Sequence, residues 1–205
     1  MGFYEDVVLP YCIDFSCGMK ALDPERKKTA AGLSGTVLEI GFGSGLNLPH
    51  LPSAVTRVLG VDPSERGRRI ARKRIDAARC PVDIVGLDAE VIRADDGIAD
   101  SAICTFSLCT IPSAENALRE VKRVLRPGGR LFFLEHGRAP DPGVRRFQDF
   151  LNGFQRMVAG GCNLNRDIPE VVRVAGFQIE SLEATYFPKM PRTHGYLYRG
   201  AAVAS

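Results

Sequence analysis

A glycine-rich turn is the part of the sequence best suited to holding a ligand. The run Gly41-Phe42-Gly43-Ser44-Gly45 directly follows the apolar segment Val37-Leu38-Glu39-Ile40. Glycine has no Cβ, so it adopts positive φ angles and lets a ligand approach the backbone closely. A dinucleotide fingerprint would place its third glycine at position 46, where this sequence has Leu46. The spacing therefore favours a ligand whose amino-acid portion lies over the turn.

Acidic residues stand where the next two apolar runs end. Asp62 precedes Pro63, and Asp88-Ala89-Glu90 follow the run at 82–87. In open α/β sheets, ligands bind outside the carboxyl ends of the strands, where the strand order reverses. Asp62 can accept hydrogen bonds from two ribose hydroxyls there, and Asp88 is the preferred acceptor for an adenine amino group. The alternatives are a capping or turn role for Asp62 and a capping box or solvated turn at 88–90.

The candidates for catalysis lie further along the chain. His136 follows the fifth apolar run, and its unperturbed pKa of about 6.5 suits a base at neutral pH. Arg166 and Asp167 end the run Asn163-Leu164-Asn165-Arg166-Asp167, where they can orient an acceptor. The alternatives are a loop-holding hydrogen bond for His136 and a helix cap for Asp167. Glu39 either fixes the glycine turn or binds an ammonium group, with a structural role equally open.

These residues need a scaffold in which strands and helices alternate. The sequence predicts strands near 36–40, 57–61, 82–87, 100–106, 130–134, 178–184 and 195–203. It predicts helical segments within 3–22 and near 46–51, 64–78, 113–125, 144–158 and 168–175. Ser64 is expected to cap the third of these. This alternation predicts βαβ units and an α/β, doubly wound, Rossmann-like and mostly parallel sheet. A plain dinucleotide-binding domain shares most of this plan.

Length and composition fit one globular domain. The chain has 205 residues, of which 45% are hydrophobic and 25% charged, with a net charge of +3. We expect one domain over 1–205, with a helical cap or lid at 1–30, a cofactor-binding core at 35–205 and acceptor-side helices at 140–176. No apolar run approaches the ~20 residues of a membrane span. The first residues lack the features of a secretory signal, so we expect a cytoplasmic location.

The six cysteines and three histidines are scattered, and no C-x-x-C pair occurs. Because their spacings do not match a zinc motif, we expect reduced, buried thiols and no metal. The arginine-rich stretch 66–79 has an apolar stripe at Ile70, Ala71, Ile75 and Ala78, typical of a helix with a solvated basic face. A phosphate or nucleic-acid contact is the alternative use of that face. We expect no nucleic-acid partner, and a monomer is favoured.

Four segments together make the chain resemble the class I S-adenosylmethionine-dependent methyltransferases over about residues 35–200. They are the glycine turn with its preceding run, Gly60-Val61-Asp62-Pro63-Ser64, Asp88-Ala89-Glu90, and Arg123-Val124-Leu125-Arg126-Pro127-Gly128-Gly129. The resemblance implies S-adenosylmethionine as the cofactor and a seven-stranded sheet whose last strand runs antiparallel. It also implies that Thr105, Phe106 and Leu108, after the fourth strand, line the cofactor site.

A narrower resemblance is to the methyltransferase-like thiol S-methyltransferases of animals and their bacterial relatives, often described as phospholipid or quinone methyltransferases. The matching segments are Thr105-Phe106-Ser107-Leu108-Cys109, Phe132-Phe133-Leu134-Glu135-His136, Gly161-Cys162-Asn163-Leu164-Asn165-Arg166-Asp167 and His194-Gly195-Tyr196. It implies a small-molecule acceptor, with a thiol favoured over an amine or a quinol carbon. The chain departs from the animal members by lacking an N-terminal hydrophobic anchor. It also has Gly67 where many members cover the adenine with a large apolar residue. Either Pro63 with Ile92 covers that face of the adenine, or the adenine is held less tightly.

Three other functions compete with methyl transfer to a small molecule. A dinucleotide-dependent oxidoreductase would share the fold, but Leu46 argues against it. A non-catalytic domain that binds the cofactor and docks on another protein would share the glycine turn. A nucleic-acid methyltransferase would use the arginine-rich stretch.

Overall fold

A computed structural model of the chain describes residues 4–204, apart from the side chains at positions 5 and 6. Its centre is one sheet of seven strands in the order β3-β2-β1-β4-β5-β7-β6. The strands are β1 (Gly35–Ile40), β2 (Val55–Val61), β3 (Val82–Gly86), β4 (Ala99–Thr105), β5 (Leu125–His136), β6 (Phe177–Tyr186) and β7 (Tyr196–Ala204). Neighbours among β1 to β5 pair in parallel, whereas β7 is antiparallel to both β5 and β6. The predicted doubly wound sheet with an antiparallel last strand is confirmed.

Six α-helices accompany the sheet within residues 4–204. They are α1 (Leu9–Cys17), α2 (Asp23–Ala30), α3 (Glu65–Asp76), α4 (Ala114–Val124), α5 (Pro142–Val158) and α6 (Ile168–Val174). Short turns of other helical types cover Tyr4–Val8, Lys20–Leu22 and Leu48–His50. None of the helices in this part of the chain combines the length and apolarity that crossing a bilayer requires.

The sheet separates two apolar cores. Successive residues of a strand point to opposite faces, and β1 shows this at Val37 and Leu38, which belong to different cores. Leu118 of α4 and Val172 of α6 pack on the Leu38 face, and Ala71 of α3 packs on the other. The strand order reverses between β1 and β4 because the chain passes from one side of β1 to the other. Ligands in such folds bind beyond the carboxyl ends of the strands at that point.

The main difference between the structure and the predicted elements lies at 46–51, where a helix was predicted. The structure has one 3₁₀ turn there, Leu48–His50. Gly45, with φ of +73°, precedes it, and Pro49 and Pro52 cannot donate main-chain hydrogen bonds. These residues leave too few donors for a regular helix.

The amino-terminal helices and α5 present apolar side chains to solvent. Phe15 of α1 is 81% exposed, and Tyr11 is half-exposed. Along α5, the stripe Phe147, Phe150, Phe154 and Met157 is also exposed, and Phe150 reaches 80%. The two elements adjoin, because the Tyr4 hydroxyl donates to the Val158 carbonyl over 2.7 Å. Among residues 7–22 of the predicted amphipathic segment 3–22, the apolar side is therefore only partly buried, and position 3 lies outside the described residues.

Candidate active site

The glycine turn projects its backbone toward the carboxyl edge of the sheet. Gly41, Gly43 and Gly45 all have positive φ angles, of 68°, 52° and 73°. A Cβ on Gly41 would collide with Ser107, whereas one on Gly43 would meet nothing closer than 3.8 Å. Gly41 is thus required by packing, and Gly43 leaves open space on the ligand side. Phe42 contributes only main chain to that side, because its ring is buried at 2% exposure in the core around α3.

Asp62 joins the end of β2 to the glycine turn. Its Oδ2 accepts the Gly43 amide over 2.8 Å, and its Oδ1 accepts the Ser64 amide over 2.7 Å. Burial raises the pKa of this carboxyl group, which these amides partly offset. An ionised carboxylate has about four acceptor positions, so capacity for two hydroxyl groups remains. Asp62 therefore has the turn role predicted as its alternative, and these hydrogen bonds are compatible with a ribose contact.

The start of α3 lies directly against the glycine turn. The Ser64 hydroxyl accepts the Gly67 amide over 2.9 Å, which is the predicted helix cap. A Cβ on Gly67 would lie 3.2 Å from the carbonyl group of Gly43. Position 67 therefore faces the glycine turn. Because it is a glycine, it has no side chain that could cover an adenine ring. Pro63 is exposed at the end of β2, whereas Ile92 is buried in the core.

The segment after β3 forms a turn in which the three predicted residues differ in position. Asp88 is exposed, and its Oδ1 accepts the Glu90 amide over 2.8 Å. Glu90 Oε1 accepts the Ser113 amide over 3.1 Å, so this side chain holds the start of α4. Ala89 packs against the core, and the neighbouring Val91 is 64% exposed. The Glu90 carboxylate is therefore engaged within the protein, whereas the Asp88 carboxylate is exposed at the end of β3.

A buried polar network lies beneath the glycine turn. Asn47 donates to Glu39 Oε1 over 2.9 Å and to the Thr105 hydroxyl over 3.0 Å. Arg26 of α2 donates to Asn47 Oδ1 and to the Thr105 hydroxyl over 2.8 and 2.9 Å. It also donates to the Cys17 carbonyl over 3.0 Å. Arg26 as a whole residue is 3% exposed, so α2 contributes a buried cation to the carboxyl edge of the sheet.

One oxygen of this network has no partner. Glu39 is 2% exposed, and its Oε2 makes no hydrogen bond with any described residue. Burial raises the pKa of Glu39 to about 7, against the opposing effects of Asn47 and Arg26. A buried acceptor without a partner costs free energy unless a ligand supplies a donor. The ammonium group of an amino-acid ligand over the turn fits this requirement.

The segment after β4 is held by a carboxylate of β5. Glu135 is completely buried and accepts the amides of Ser107 and Leu108 over 2.7 and 3.0 Å, with Cys109 at 3.4 Å. Leu108 is also completely buried in the core, so only its main chain can line a site. Phe106 has φ of +54°, which is unusual for a residue with a side chain, and its ring lies 5.4 Å from the Arg26 guanidinium carbon.

At the end of β5, His136 lies beside two cysteines. His136 Nε2 lies 3.1 Å from Cys162 Sγ, and its Nδ1 has no hydrogen-bond partner among the described residues. Cys109 completes the group, since the three potential ligand atoms lie within 4.8 Å of one another. Burial lowers the pKa of His136, but contact with Cys162 outweighs it and the net shift is upward. A hydrogen bond with Cys109, followed by burial, raises the pKa of the Cys162 thiol.

Arg166 and Asp167 have local roles in the structure. Arg166 donates to the main-chain carbonyl groups of Leu108 and Ile111, the latter over 2.6 Å. Asp167 precedes α6, and its carboxylate accepts the Glu170 amide over 3.2 Å. Asp167 thus forms the predicted helix cap, which is the alternative to its catalytic role. Arg166 therefore orders the segment that carries Cys109.

The arginine-rich helix is partly engaged with the site. Arg74 donates to Asp14 Oδ1 of α1 over 2.9 Å and to the Ser44 carbonyl of the glycine turn over 2.8 Å. Arg68 donates to the Asp62 carbonyl over 2.7 Å. Part of the predicted solvated face therefore binds the protein itself and fixes the turn.

Sequence reasoning missed Arg26, Asn47 and Glu135. Arg26 occurs in the charged run Asp23-Pro24-Glu25-Arg26-Lys27-Lys28, which is typical of a solvated helix. Asn47 lies in the segment expected to be helical. Only Glu135 could have been recognised from the sequence, because a charged residue within a long apolar run is rarely buried without partners.

Comparison with known proteins gives the same class as the fold. A family model described as a methyltransferase domain matches residues 38–133. An S-adenosylmethionine-dependent methyltransferase of Thermotoga maritima, described as a possible histamine N-methyltransferase, superimposes with a TM-score of 0.70. That match covers 99% of this chain and 98% of the other at 21% identity. The protein is a class I methyltransferase that uses S-adenosylmethionine as the methyl donor.

Curated relatives define the family more narrowly. The human thiol S-methyltransferase TMT1A is 32% identical over 177 residues, covering 82% of this chain and 72% of that protein. The phosphatidylethanolamine N-methyltransferase of Cereibacter sphaeroides is 34% identical over 128 residues, covering 60% of this chain and 62% of that protein. The chain belongs to the family of small-molecule methyltransferases that includes TMT1A.

Proposed function

We propose that this protein transfers a methyl group from S-adenosylmethionine to the sulfur of a small-molecule thiol. The observation that carries the proposal is the 32% identity with thiol S-methyltransferase TMT1A over 82% of this chain. The chemistry of the acceptor side supports it, because a histidine and two cysteines meet at the carboxyl end of β5. The segment 140–176 is the acceptor side in this proposal.

In the proposed cofactor site, each group of the donor has a matching partner. Glu39 Oε2 accepts from the ammonium group, and the open face of Gly43 lies beside the amino-acid portion. The free acceptor positions of Asp62 take the ribose hydroxyls, and Asp88 takes the adenine amino group. S-adenosylmethionine supplies a methyl group already activated on a sulfonium. The chain therefore has to position the acceptor and exclude water.

The reaction requires a thiolate in line with the methyl carbon. A bond forms between the acceptor sulfur and the methyl carbon, while the bond from that carbon to the sulfonium sulfur breaks and its electron pair remains on the departing thioether. The acceptor thiol must lose its proton, because an unperturbed thiol has a pKa of about 8.5 and is mostly protonated at neutral pH. His136, with Cys109 and Cys162, is the group proposed to favour the thiolate.

Phospholipid amine or quinone methylation is the second candidate. The match with the phosphatidylethanolamine N-methyltransferase of Cereibacter sphaeroides favours it. The exposed apolar stripe on α5 also favours it, because a lipophilic acceptor would find apolar surface beside the acceptor side. A non-catalytic cofactor-binding partner remains the alternative from another class.

The test is S-adenosylhomocysteine formation with small thiols, ethanolamine phospholipids and quinols offered separately. We expect turnover with thiols, and we expect Asp62→Ala to weaken cofactor binding by at least about tenfold, as loss of a charged hydrogen-bond acceptor predicts. His136→Ala should lower turnover more than cofactor affinity. Turnover confined to phospholipids or quinols would replace the thiol proposal. Cofactor binding without turnover on any acceptor would favour the partner protein.

A further inference from the structure

Three side chains with metal-binding atoms come together at the acceptor side. Cys109 lies in the segment between β4 and α4, His136 ends β5, and Cys162 lies between α5 and α6. Their ligand atoms all lie within 4.8 Å of one another, and His136 Nε2 is 3.1 Å from Cys162 Sγ. Both cysteines are buried, and His136 is 9% exposed. The three residues are distant in sequence, so no spacing motif could reveal the group.

Hydrogen bonds outside the group hold all three residues in place. The Asn163 amide and its side-chain Nδ2 donate to the Cys109 carbonyl over 2.8 and 2.9 Å, which ties the Cys162 segment to the Cys109 segment. Glu135, next to His136, accepts the amides of Ser107 and Leu108, which ties β5 to the Cys109 segment. The group is therefore arranged before any ligand arrives, as a specific metal site requires.

The geometry fits a tetrahedral ion that prefers sulfur and nitrogen. Zinc binds cysteine sulfur at about 2.3 Å and histidine nitrogen at about 2.0–2.1 Å, so its ligand atoms lie about 3.5–3.8 Å apart in a tetrahedron. The observed separations, from 3.1 Å to no more than 4.8 Å, bracket these values. Nε2 is the histidine nitrogen that lies beside the Cys162 sulfur atom, at 3.1 Å.

We propose that Cys109 Sγ, His136 Nε2 and Cys162 Sγ bind one zinc ion and leave its fourth position open. On binding, each cysteine thiol loses one proton to solvent, and the two thiolates balance the charge of the ion. Within the described residues, the group contains three ligands. Three protein ligands and one open position are the arrangement of catalytic zinc sites, whereas structural sites have four protein ligands.

The open position gives the site a role in the proposed thiol methylation, and this step rests on the proposed function. An acceptor sulfur bound to zinc is deprotonated at neutral pH, because a coordinating thiol loses its proton to the ion. The acceptor proton goes to solvent, and the sulfur keeps a lone pair for the methyl carbon. His136 then acts as a ligand and not as a base.

Zinc binding is measured without any acceptor, so its result is independent of the proposed function. Reduced protein is freed of metal with a chelator, and zinc is titrated against a chromophoric competitor. Cobalt is added to a second sample, and its absorption reports tetrahedral thiolate coordination. We expect one zinc per chain, with affinity lowered at least about 10–100-fold in Cys109→Ser and in Cys162→Ser. Cys80→Ser, which removes a free cysteine outside the group, should bind zinc normally.

Three outcomes would overturn the metal site. They are absence of zinc binding by the reduced wild-type protein, unchanged affinity in both serine variants, and a Cys109–Cys162 disulfide in freshly purified protein that binds no zinc after reduction. Thermal unfolding with chelator present shows whether each serine variant folds. His136→Gln supplies a second test that retains both sulfur atoms, and it should also weaken zinc binding and remove nitrogen coordination from the cobalt spectrum.

Discussion

The two halves of the carboxyl edge are built in different ways. The cofactor half consists of the glycine turn and Asp62, which follow one another within 22 positions and are joined by the hydrogen bond from Gly43 to Asp62. The proposed acceptor half consists of Cys109, His136 and Cys162, which come from three separate segments. The first half depends on local backbone conformation, and the second depends on long-range packing. We therefore expect substitutions in the two halves to affect stability and ligand binding in different ways.

The largest effect is expected at the buried cation beneath the glycine turn. Arg26→Leu removes a buried guanidinium and its hydrogen bonds to Asn47, Thr105 and the Cys17 carbonyl. Breaking such a buried network costs about 3 kcal/mol of unfolding free energy. Urea unfolding measures this loss, and Lys28→Leu in the same helix, where the side chain is exposed, is the matched control. A loss in Arg26→Leu no larger than in the control would contradict the described role of Arg26.

A smaller effect should separate packing from ligand contact within the glycine turn. Gly41→Ala places a methyl group against Ser107 and should lower stability by about 2 kcal/mol or more, because positive φ alone costs about 1–2 kcal/mol. Gly43→Ala carries only that conformational cost, since space is open around its Cβ. It should instead weaken cofactor binding more than tenfold, because the methyl group occupies the ligand side.

Thermal unfolding and calorimetric titration with S-adenosylmethionine measure the two effects on the same samples. Equal stability loss in the two alanine variants, with unchanged cofactor affinity in Gly43→Ala, would show that the ligand does not approach Gly43.

The smallest effect expected is a dependence on pH that belongs to Glu39. Burial raises its pKa to about 7, whereas a glutamate in an unfolded chain has a pKa of about 4.3. The native state therefore holds more protons than the unfolded state between these values, so the contribution of Glu39 to stability falls as pH rises through that window. Glu39→Gln removes the contribution. The variant should gain stability relative to wild type between pH 5 and pH 8.

Cofactor binding should show the opposite trend with pH. An ionised Glu39 attracts the ammonium group of S-adenosylmethionine, so wild-type affinity should rise toward pH 8 and binding should release protons. Glu39→Gln should lose this dependence on pH. Calorimetry in buffers of different ionisation enthalpy measures the protons released. Identical pH dependence in both proteins would remove Glu39 from the ammonium site.

Sequence reasoning succeeded where one segment determines the structure. The strand before Gly41, the cap at Ser64 and the antiparallel final strand were all predicted, because local hydrogen bonding and resemblance specify them. It was wrong about the helix near 46–51, where proline and glycine remove the donors a helix needs.

The acceptor side and the buried network could not be predicted in this way. Arg26 and Glu39 are 13 positions apart in sequence, and nothing in the charged run around Arg26 distinguishes it from its solvated neighbours. For Asp167, the sequence left a catalytic role and a helix cap as alternatives, and the capping contact is visible only once α6 is placed. Contacts between distant segments depend on how the strands order and pack, which one sequence leaves open.

The position of Arg26 in α2 has a consequence for protein engineering. A designer who transplanted the strand, the glycine turn and Asp62 onto another α/β scaffold would carry over every residue of the recognisable motif. The graft would still bury a carboxylate and an amide without their cation, because that cation comes from a separate helix. The smallest portable unit of this site is therefore a strand, a turn and a helix that precedes them in the chain.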